Sequence, residues 1–518
     1  MGKNPLILTF DCGTQSVRAL LFDKKGNLLF KEQIAYEPYE SPEPGWAERE
    51  PDFYWEKLGE ASRRLKKRAG DAFSDIIAVT LTTMRDTGVN LDADLRVLRP
   101  SILWVDERSV QCRAPMPAIN RVLFALVGML DAATANRANT KSNWIRENQP
   151  EIWEKTEKYV LLSCYLTYKF TGNLVDSVAS QVGHIPFDYR HKRWMKTSQL
   201  KFPVFNVEPE KLPELVEPGE CLGKITSEAA AWTGIPAGLP LIASGSDKGC
   251  ETLGSGCVDA TMASLSFGTT STVQLTIPKY VEPQQYLPAY PAVMPGMYNP
   301  EIEIYRGYWM ISWFKNEFAE EERRTAQEEG ISVEEVLNRR LLEVPPGSHG
   351  LMLQPYWGPG IKNPEARGAI VGFSDVHTKA HLYRAIVEGL NYALREGLET
   401  LCRRAKCQVD YLTVSGGGAV NDLICQITAD MFGKTIKRAQ THETAGLGSS
   451  IAGFVGMGEF SSFPEAVGEM VRHTSVFQPT LEGFQIYDEL YREVYRGIYP
   501  KMRPLYQKIR EIYRKYGK

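Results

Sequence analysis

Residues 8–23, LTFDCGTQSVRALLFD, set an acidic residue, a glycine and hydroxyl side chains between two apolar runs. The alternation predicts strand, tight turn, strand, and the KKGN turn and LLFKEQ run that follow extend it to an antiparallel meander. A plain hairpin asks only for residues that tolerate the turn. The DCGTQS turn offers more: Gly13 lets backbone approach a phosphate, Thr14 and Ser16 supply donors, and Asp11 at the strand end is placed to hold Mg²⁺ directly or through water. The segment MASLSFGTTSTVQLT, from Met262, repeats the design with a Gly268–Thr269 turn. Two such hairpins half a chain apart predict two domains on one plan, able to clamp one triphosphate tail from both sides.

Between and after the hairpins the chain mixes helices and strands. PDFYWEKLGEASRRLKKRAG reads as an amphipathic helix and DIIAVTLTT as a buried strand. HLYRAIVEGLNYALREGLETLCRRA is a long helix, followed by the strand YLTVSGGGAV and the helix NDLICQITADMF. Its glycine-rich turn, SGGGAVND, offers flat backbone for a base and ribose, without the spacing of a dinucleotide fold or a P-loop. In TTMRDTG, Arg85 and Asp86 follow a buried strand and suit the hydroxyls of a polyol, the structural alternative being a surface ion pair. In ASGSDKG, Asp247 follows a strand among small residues that leave room for a ligand. A helix-capping aspartate is the alternative there.

Composition excludes several classes. The 518 residues are 43% hydrophobic and 24% charged with net charge -3, an ordinary globular balance without a basic footprint for nucleic acid or anionic membrane. Nine cysteines fall without a CxxC pair, which fits a reducing compartment. The apolar start is too short for a signal peptide, and the uncharged stretches 229–246 and 260–278 are filled with proline, glycine, serine and threonine, so a cytoplasmic protein is expected. His377 and His381 form an HxxxH without the glutamate of HExxH or an evident third ligand, and read as a helix-start pair. Tyr487, Tyr491, Tyr495 and Tyr499 recur every four residues before a basic run to Lys518. They read as a packing stripe with a solvated face, the alternative being an RNA-binding tail.

Taken in order, DCGTQSVRALLFD, PGWAEREP, TTMRDTG, ILWVDER, SGSDKG, SFGTTS, NPEARGAIVGF, RAIVEGL, VSGGGAVNDLICQITADMFG and HETAGLGSSIAG resemble the FGGY carbohydrate kinases over nearly the whole chain. The resemblance implies an α/β fold of two actin, hexokinase and Hsp70-like (ribonuclease H-like) domains, each a mixed sheet flanked by helices, with a cleft between them. The expected boundaries are 1–256, 257–480 and a helical tail at 481–518. It also implies transfer of the ATP γ-phosphate, with Mg²⁺, to a terminal hydroxyl of a sugar or polyol. On that basis Asp247 is the catalytic base, and Arg85, Asp86, Trp104 and Asp106 line the sugar pocket with it. Gly13, Thr14, Gln15, Ser16, Gly268 and Thr269 meet the phosphates, Asp11 the metal, and Gly417, Gly418 and Asn421 the adenosine.

The acceptor follows less directly. Glycerol kinases carry Arg-Glu where this chain has Arg85-Asp86, and Asp-Gln where it has Asp247-Lys248. Xylulokinases share the ILW-x-D of Ile102 to Asp106 but usually have Met-His in place of Met84-Arg85. Autoinducer-2 kinases have a Met-Arg-Glu pattern there and the general look of YRGYWMISWFKNEF. A ketopentose, xylulose- or ribulose-like, or a related short polyol is the expected acceptor, with glycerol or an autoinducer-2 precursor as alternatives. A non-catalytic ATP-gated binding protein on the same fold is the rival from another class. The expected partner is a small-molecule sugar or polyol, with neither nucleic acid nor membrane, and with room for a homodimer.

Overall fold

The computed structural model describes residues 4–113, 115–357 and 365–516. Strands β1 (Leu6–Cys12), β2 (Ser16–Asp23) and β3 (Leu28–Ala35) form the expected antiparallel meander. Helix α1 (Pro51–Ala69) begins on a proline at its first turn, where a missing N–H costs nothing, and buries Tyr54, Leu58, Ala61 and Leu65 on one face. It crosses to β4 (Ile76–Thr83), which runs parallel to β1. Farther along, β5 (Cys221–Lys224), β6 (Pro240–Ile242) and α2 (Asp247–Gly254) follow, with β6 parallel to β4 and antiparallel to β5.

The second half repeats this plan. Strands β7 (Met262–Phe267), β8 (Ser271–Leu275) and β9 (Glu301–Ile304) form the second meander, and α3 (Lys379–Ala405) precedes β10 (Tyr411–Ser415), parallel to β7. Then come α4 (Asp422–Phe432), β11 (Thr435–Ala439), α5 (Thr444–Gly456), β12 (His473–Phe477), α6 (Leu481–Leu490) and α7 (Arg496–Lys515). The two six-stranded sheets have the orders β3-β2-β1-β4-β6-β5 and β9-β8-β7-β10-β11-β12. Parallel and antiparallel neighbours occur in the same places in both. Every residue of β1 and of β7 is buried, as central strands covered on both faces require.

The chain divides into two compact units that are not contiguous in sequence. One comprises Met1–Val258, Pro278–Asn299 and Glu443–Val471; the other comprises Asp259–Ile277, Pro300–His442 and Arg472–Lys518. The contiguous boundaries expected from sequence therefore differ at 278–299, at 443–471 and at the tail. The physical reason at 443–471 is backbone contact between α5 and α2. A Cβ on Gly254 would stand 1.9 Å from the carbonyl oxygen of Thr444, and one on Gly448 1.9 Å from that of Cys250, so only glycines let these helices meet. The tail joins the second unit through its tyrosines. Tyr487, Tyr491 and Tyr495 are buried, and Tyr495 stacks on Tyr392 of α3 with ring centroids 4.8 Å apart. No described helix is long and apolar enough to cross a membrane.

Candidate active site

In the first unit, β4 ends beside α2, with Thr83 and Ser246 forming a parallel bridge. Ser246 caps α2 by accepting from the Gly249 N–H, so Asp247, the first residue of the helix, is released from that task. Its side chain is about a third exposed, and Oδ1 accepts from the Lys248 N–H at 2.8 Å. Arg85 turns toward it: Nε lies 3.7 Å from Asp247 Oδ1 and donates to Ser246 Oγ at 3.3 Å, while the guanidinium covers the Tyr290 ring at 5.0 Å. Burial pushes the Asp247 carboxyl above the ordinary aspartate range, with Arg85 and Lys248 pulling it back. The result is a carboxylate that is reachable, oriented and weakly held.

The neighbouring expected residues divide by task. Asp86 does not follow Arg85; it turns to His184, accepting from the backbone N–H at 2.8 Å and pairing with Nδ1 at 2.7 Å. The Trp104 indole donates to Thr14 Oγ1 at 2.9 Å, tying the expected sugar wall to the first hairpin turn. Asp106 is a buried strut with a side-chain exposure of 0%. It holds Arg108 through both carboxylate oxygens and accepts from the Ala47 N–H at 2.6 Å. Arg108 in turn packs against both Trp46 and Trp144, which meet each other edge-on. Asp106 thus has both carboxylate oxygens engaged by Arg108 and the Ala47 N–H, in place of the direct sugar contact expected of it.

In the first hairpin turn the Gly13 N–H closes on Ser16 O at 3.0 Å, Tyr36 donates to Gly13 O at 2.7 Å, and Gln15 stands exposed. Asp11 is buried and accepts from Arg18 at 2.6 Å, while Arg18 also reaches Glu443 at 3.5 Å and Glu443 pairs with Lys31. Burial outweighs Arg18 and raises the Asp11 carboxyl to about 6, with Glu443 and Asp247 adding their like charge.

The second unit carries the other turns. Gly268 O and Thr269 O accept from the N–H groups of Tyr308 and Trp309, so this hairpin opens the helix Trp309–Phe318, and Thr269 itself is exposed. In the glycine turn, Gly417 faces open space, whereas a Cβ on Gly418 would stand 2.3 Å from the Tyr308 ring. Asn421 caps α4 by accepting from the Leu423 and Ile424 N–H groups. Arg438 holds the turn by donating to Ala419 O and Val420 O, both at 2.9 Å, and by pairing with Asp422.

Sequence reasoning missed His184, Arg18, Glu443, Tyr308 and Arg438. Glu443 and Arg18 lie inside quoted motifs, HETAGLG and TQSVRALL, and charge in otherwise apolar or small-residue runs was the available signal. His184 follows a lone glycine, and no spacing announces it. His377 and His381 flank the start of α3, His377 just before the Thr378 cap and His381 closing a capping box with it, and His349 comes within 3.0 Å of His381. Among the described residues no group of three or more histidine, cysteine or acidic side chains is arranged to hold a metal ion.

These two repeated sheets with their paired hairpins are matched by two family models: the N-terminal domain of the FGGY family of carbohydrate kinases over residues 6–254 and its C-terminal domain over 263–457. The chain belongs to the FGGY family of carbohydrate kinases and is accordingly a phosphotransferase. It is 28% identical to the uncharacterized sugar kinase YgcE of Escherichia coli K12, over 95% of this chain and 93% of the relative. It is 26% identical to a xylulose kinase of Lactococcus lactis, over 95% and 96%. The xylulose kinase structure from Lactobacillus acidophilus superposes with a TM-score of 0.82 at 20% identity, covering 98% of this chain and 100% of that one. The gluconate kinase structure from the same organism gives 0.81, also at 20% identity and with coverage of 98% and 100%. At that identity the likeness carries the fold alone.

Proposed function

We propose that this chain catalyses ATP-dependent phosphorylation of a terminal hydroxyl of a ketopentose, xylulose- or ribulose-like, or of a related short polyol. The observation that carries the reading is the Arg85–Asp247 pair: a reachable carboxylate at the start of α2, oriented by the arginine that follows the end of β4. Curated relatives named xylulose kinase, matched over nearly the whole chain, support the ketopentose.

In this mechanism Asp247 accepts the proton of the acceptor hydroxyl while that oxygen forms its bond to the γ-phosphorus and the bond to the ADP oxygen breaks. Arg85 and Trp104 hold the acceptor in line, which supplies much of the rate through positioning. The donors at Thr14, Gln15, Ser16 and the Gly268–Thr269 turn meet the phosphates, and the open backbone at Gly417 takes the adenosine. Asp11 suits Mg²⁺. Burial and the like charge of Glu443 and Asp247 penalise its ionised form, a penalty that a bound cation relieves, and Mg²⁺ keeps most of its waters and needs only one or two carboxylates. When bound, the ion neutralises charge on the phosphates.

A coupled ADP-release assay tests this over D-xylulose, D-ribulose, glycerol, gluconate and an autoinducer-2 precursor. Highest kcat/KM on a ketopentose is expected. Turnover confined to glycerol, gluconate or the autoinducer-2 precursor overturns the acceptor, and ATP binding without turnover on any of them favours a binding protein on the same fold.

A further inference from the structure

We propose that the imidazole of His184 binds a hydroxyl of the acceptor through Nε2, and that Asp86 is a positioning residue that acts through it. The inference rests on the kinase reading above and assigns one more determinant of its acceptor specificity.

The geometry around Asp86 is built to aim His184. Asp86 is a non-glycine residue at φ 47, a left-handed conformation that costs energy and is retained where surroundings enforce it. Its N–H donates to Val182 O at 3.0 Å, and its two carboxylate oxygens take the backbone N–H and the Nδ1 of His184. Gly183 makes this possible: at φ 158 it has no Cβ, and one placed there would stand 2.5 Å from Asp86 Oδ1. A carboxylate occupied in this way has little left for a sugar.

Both partners point the same way chemically. Burial alone would raise the Asp86 carboxyl, but the charge and hydrogen bonds of His184, with the charge of Lys141, hold it below the ordinary range. An ionised carboxylate cannot donate, so Nδ1 carries a proton toward it whether the ring is neutral or charged. Nε2 is then the nitrogen left for a ligand. It has no hydrogen-bond partner among the described residues, and the His184 side chain is 30% exposed.

His184 also belongs to the acceptor neighbourhood. Tyr189 donates to Gly183 O at 3.1 Å and packs edge-on against Tyr290 with centroids 5.6 Å apart, and Tyr290 is the ring under Arg85. The loop bearing His184 is thereby tied to the residues that orient Asp247. A histidine fixed by a carboxylate at one nitrogen and open at the other is a specific hydrogen-bonding group. A site built around a substrate hydroxyl loses much of its discrimination when that group is removed.

The experiment is a double-mutant cycle on the full-length enzyme: H184A, D86A and D86A/H184A, with H184Q as the conservative variant. Steady-state kinetics on D-xylulose and ATP are measured beside the thermal midpoint of each. H184A is expected to raise KM for D-xylulose about 10- to 100-fold with KM for ATP within about twofold of wild type. D86A should give a smaller rise of the same kind, the double variant should match H184A, and H184Q, whose amide can both donate and accept, should recover part of the affinity. Additive effects of D86A and H184A overturn the proposal, because Asp86 would then touch the sugar independently. Unchanged KM, or equal loss toward both substrates with a lowered midpoint, overturns it as well. If wild type turns over D-ribulose or glycerol in place of D-xylulose, the cycle is read on that acceptor with the same criteria, and only the acceptor identity fails. If wild type turns over none of the three, the ketopentose reading fails and this inference with it.

Discussion

Arg85 Nε stands 3.7 Å from Asp247 Oδ1, and that single pair links the end of β4 to the first turn of α2. The link depends on the Thr83–Ser246 bridge, which carries the β4 strand direction across to the helix cap. An arginine placed this way does two things at once. It keeps Asp247 from drifting further toward the protonated form that burial favours, and it ties that carboxylate to Ser246 and the Tyr290 ring.

Arg85→Ala should therefore raise KM for the acceptor far more than KM for ATP, by about 10-fold or more for loss of a charge-assisted contact. Because Arg85 also steadies Asp247, a smaller fall in kcat should accompany it. Steady-state kinetics with each substrate varied in turn check the split; equal effects on both constants would mark the pair as structural.

The glycine turn makes a sharper pair of variants than its sequence suggests. Gly417→Val places a branched side chain in open space beside the expected adenosine, so ATP affinity should fall about 10-fold while the thermal midpoint stays near wild type. Gly418→Val instead drives a Cβ toward the Tyr308 ring at 2.3 Å and should destabilise by ~1–3 kcal/mol through overpacking. Calorimetric ATP binding and thermal unfolding together separate the two; tight ATP binding by Gly417→Val would remove this turn from the nucleotide site.

The difference between these glycines shows what the sequence could and could not reveal. Local chemistry was legible: the meanders at Leu6 and Met262, the helices at Pro51 and Lys379 and the strand–glycine–helix run at Tyr411 all follow from residue period and turn composition. Their repetition on one plan was legible for the same reason. Partners far apart in the chain were not. Gly418 against Tyr308, Gly254 against Thr444 and Asp86 against His184 are each set by tertiary packing across about a hundred residues or more, and no local pattern encodes them. Asp106 differs for the opposite reason: Arg108, its partner two residues on, was in view, but nothing in sequence shows that Arg108 packs against two tryptophans and holds both carboxylate oxygens.

Close approach of α5 and α2 gives a prediction about stability. Gly448→Ala puts a Cβ 1.9 Å from the Cys250 carbonyl oxygen, and backbone cannot swing aside as a flexible side chain would. A loss of about 3 kcal/mol or more is expected, at the upper end for overpacking. Since α2 begins with Asp247, kcat should fall too, while Gly468→Ala, whose added Cβ meets nothing within 4 Å, should leave both unchanged. Thermal melts and initial rates of the two variants are the comparison.

Asp11 gives a prediction in pH. Its carboxyl titrates near 6 in the fold against an ordinary value of 3.8, because burial outweighs the Arg18 pair. A folded pKa raised above the unfolded one means that the native state holds a proton the unfolded chain has lost. The stabilisation this gives is fully present below about pH 4 and disappears as pH rises through about 6. Wild type should thus lose ~1–3 kcal/mol of stability relative to Asp11→Asn between pH 4 and pH 7, since asparagine has no such proton to lose. Metal-free protein unfolded by heat at a series of pH values checks this, and a wild-type curve parallel to that of the variant would place the Asp11 pKa at its ordinary value.

The last prediction concerns the chemical step. A primary alcohol is a poor nucleophile near pH 7, so a positioned carboxylate has to take its proton as the new P–O bond forms. Asp247 is the carboxylate the fold offers: it is freed from capping by Ser246, it is a third exposed, and the Lys248 N–H and Arg85 orient it. Asp247→Asn keeps the shape and one acceptor oxygen but cannot take the proton. Its kcat should drop by about 10²-fold or more, the usual scale for loss of a general base, with KM for acceptor and ATP changed little. Asp11→Asn should behave differently, raising the Mg²⁺ concentration needed for half-maximal rate, because its expected partner is the metal. The test is kcat for both variants at saturating substrates, with the Mg²⁺ dependence measured for each. If Asp247→Asn retains nearly full turnover, the proton must leave by another route, and His184, the other oriented group near the acceptor residues, becomes the first to examine as base.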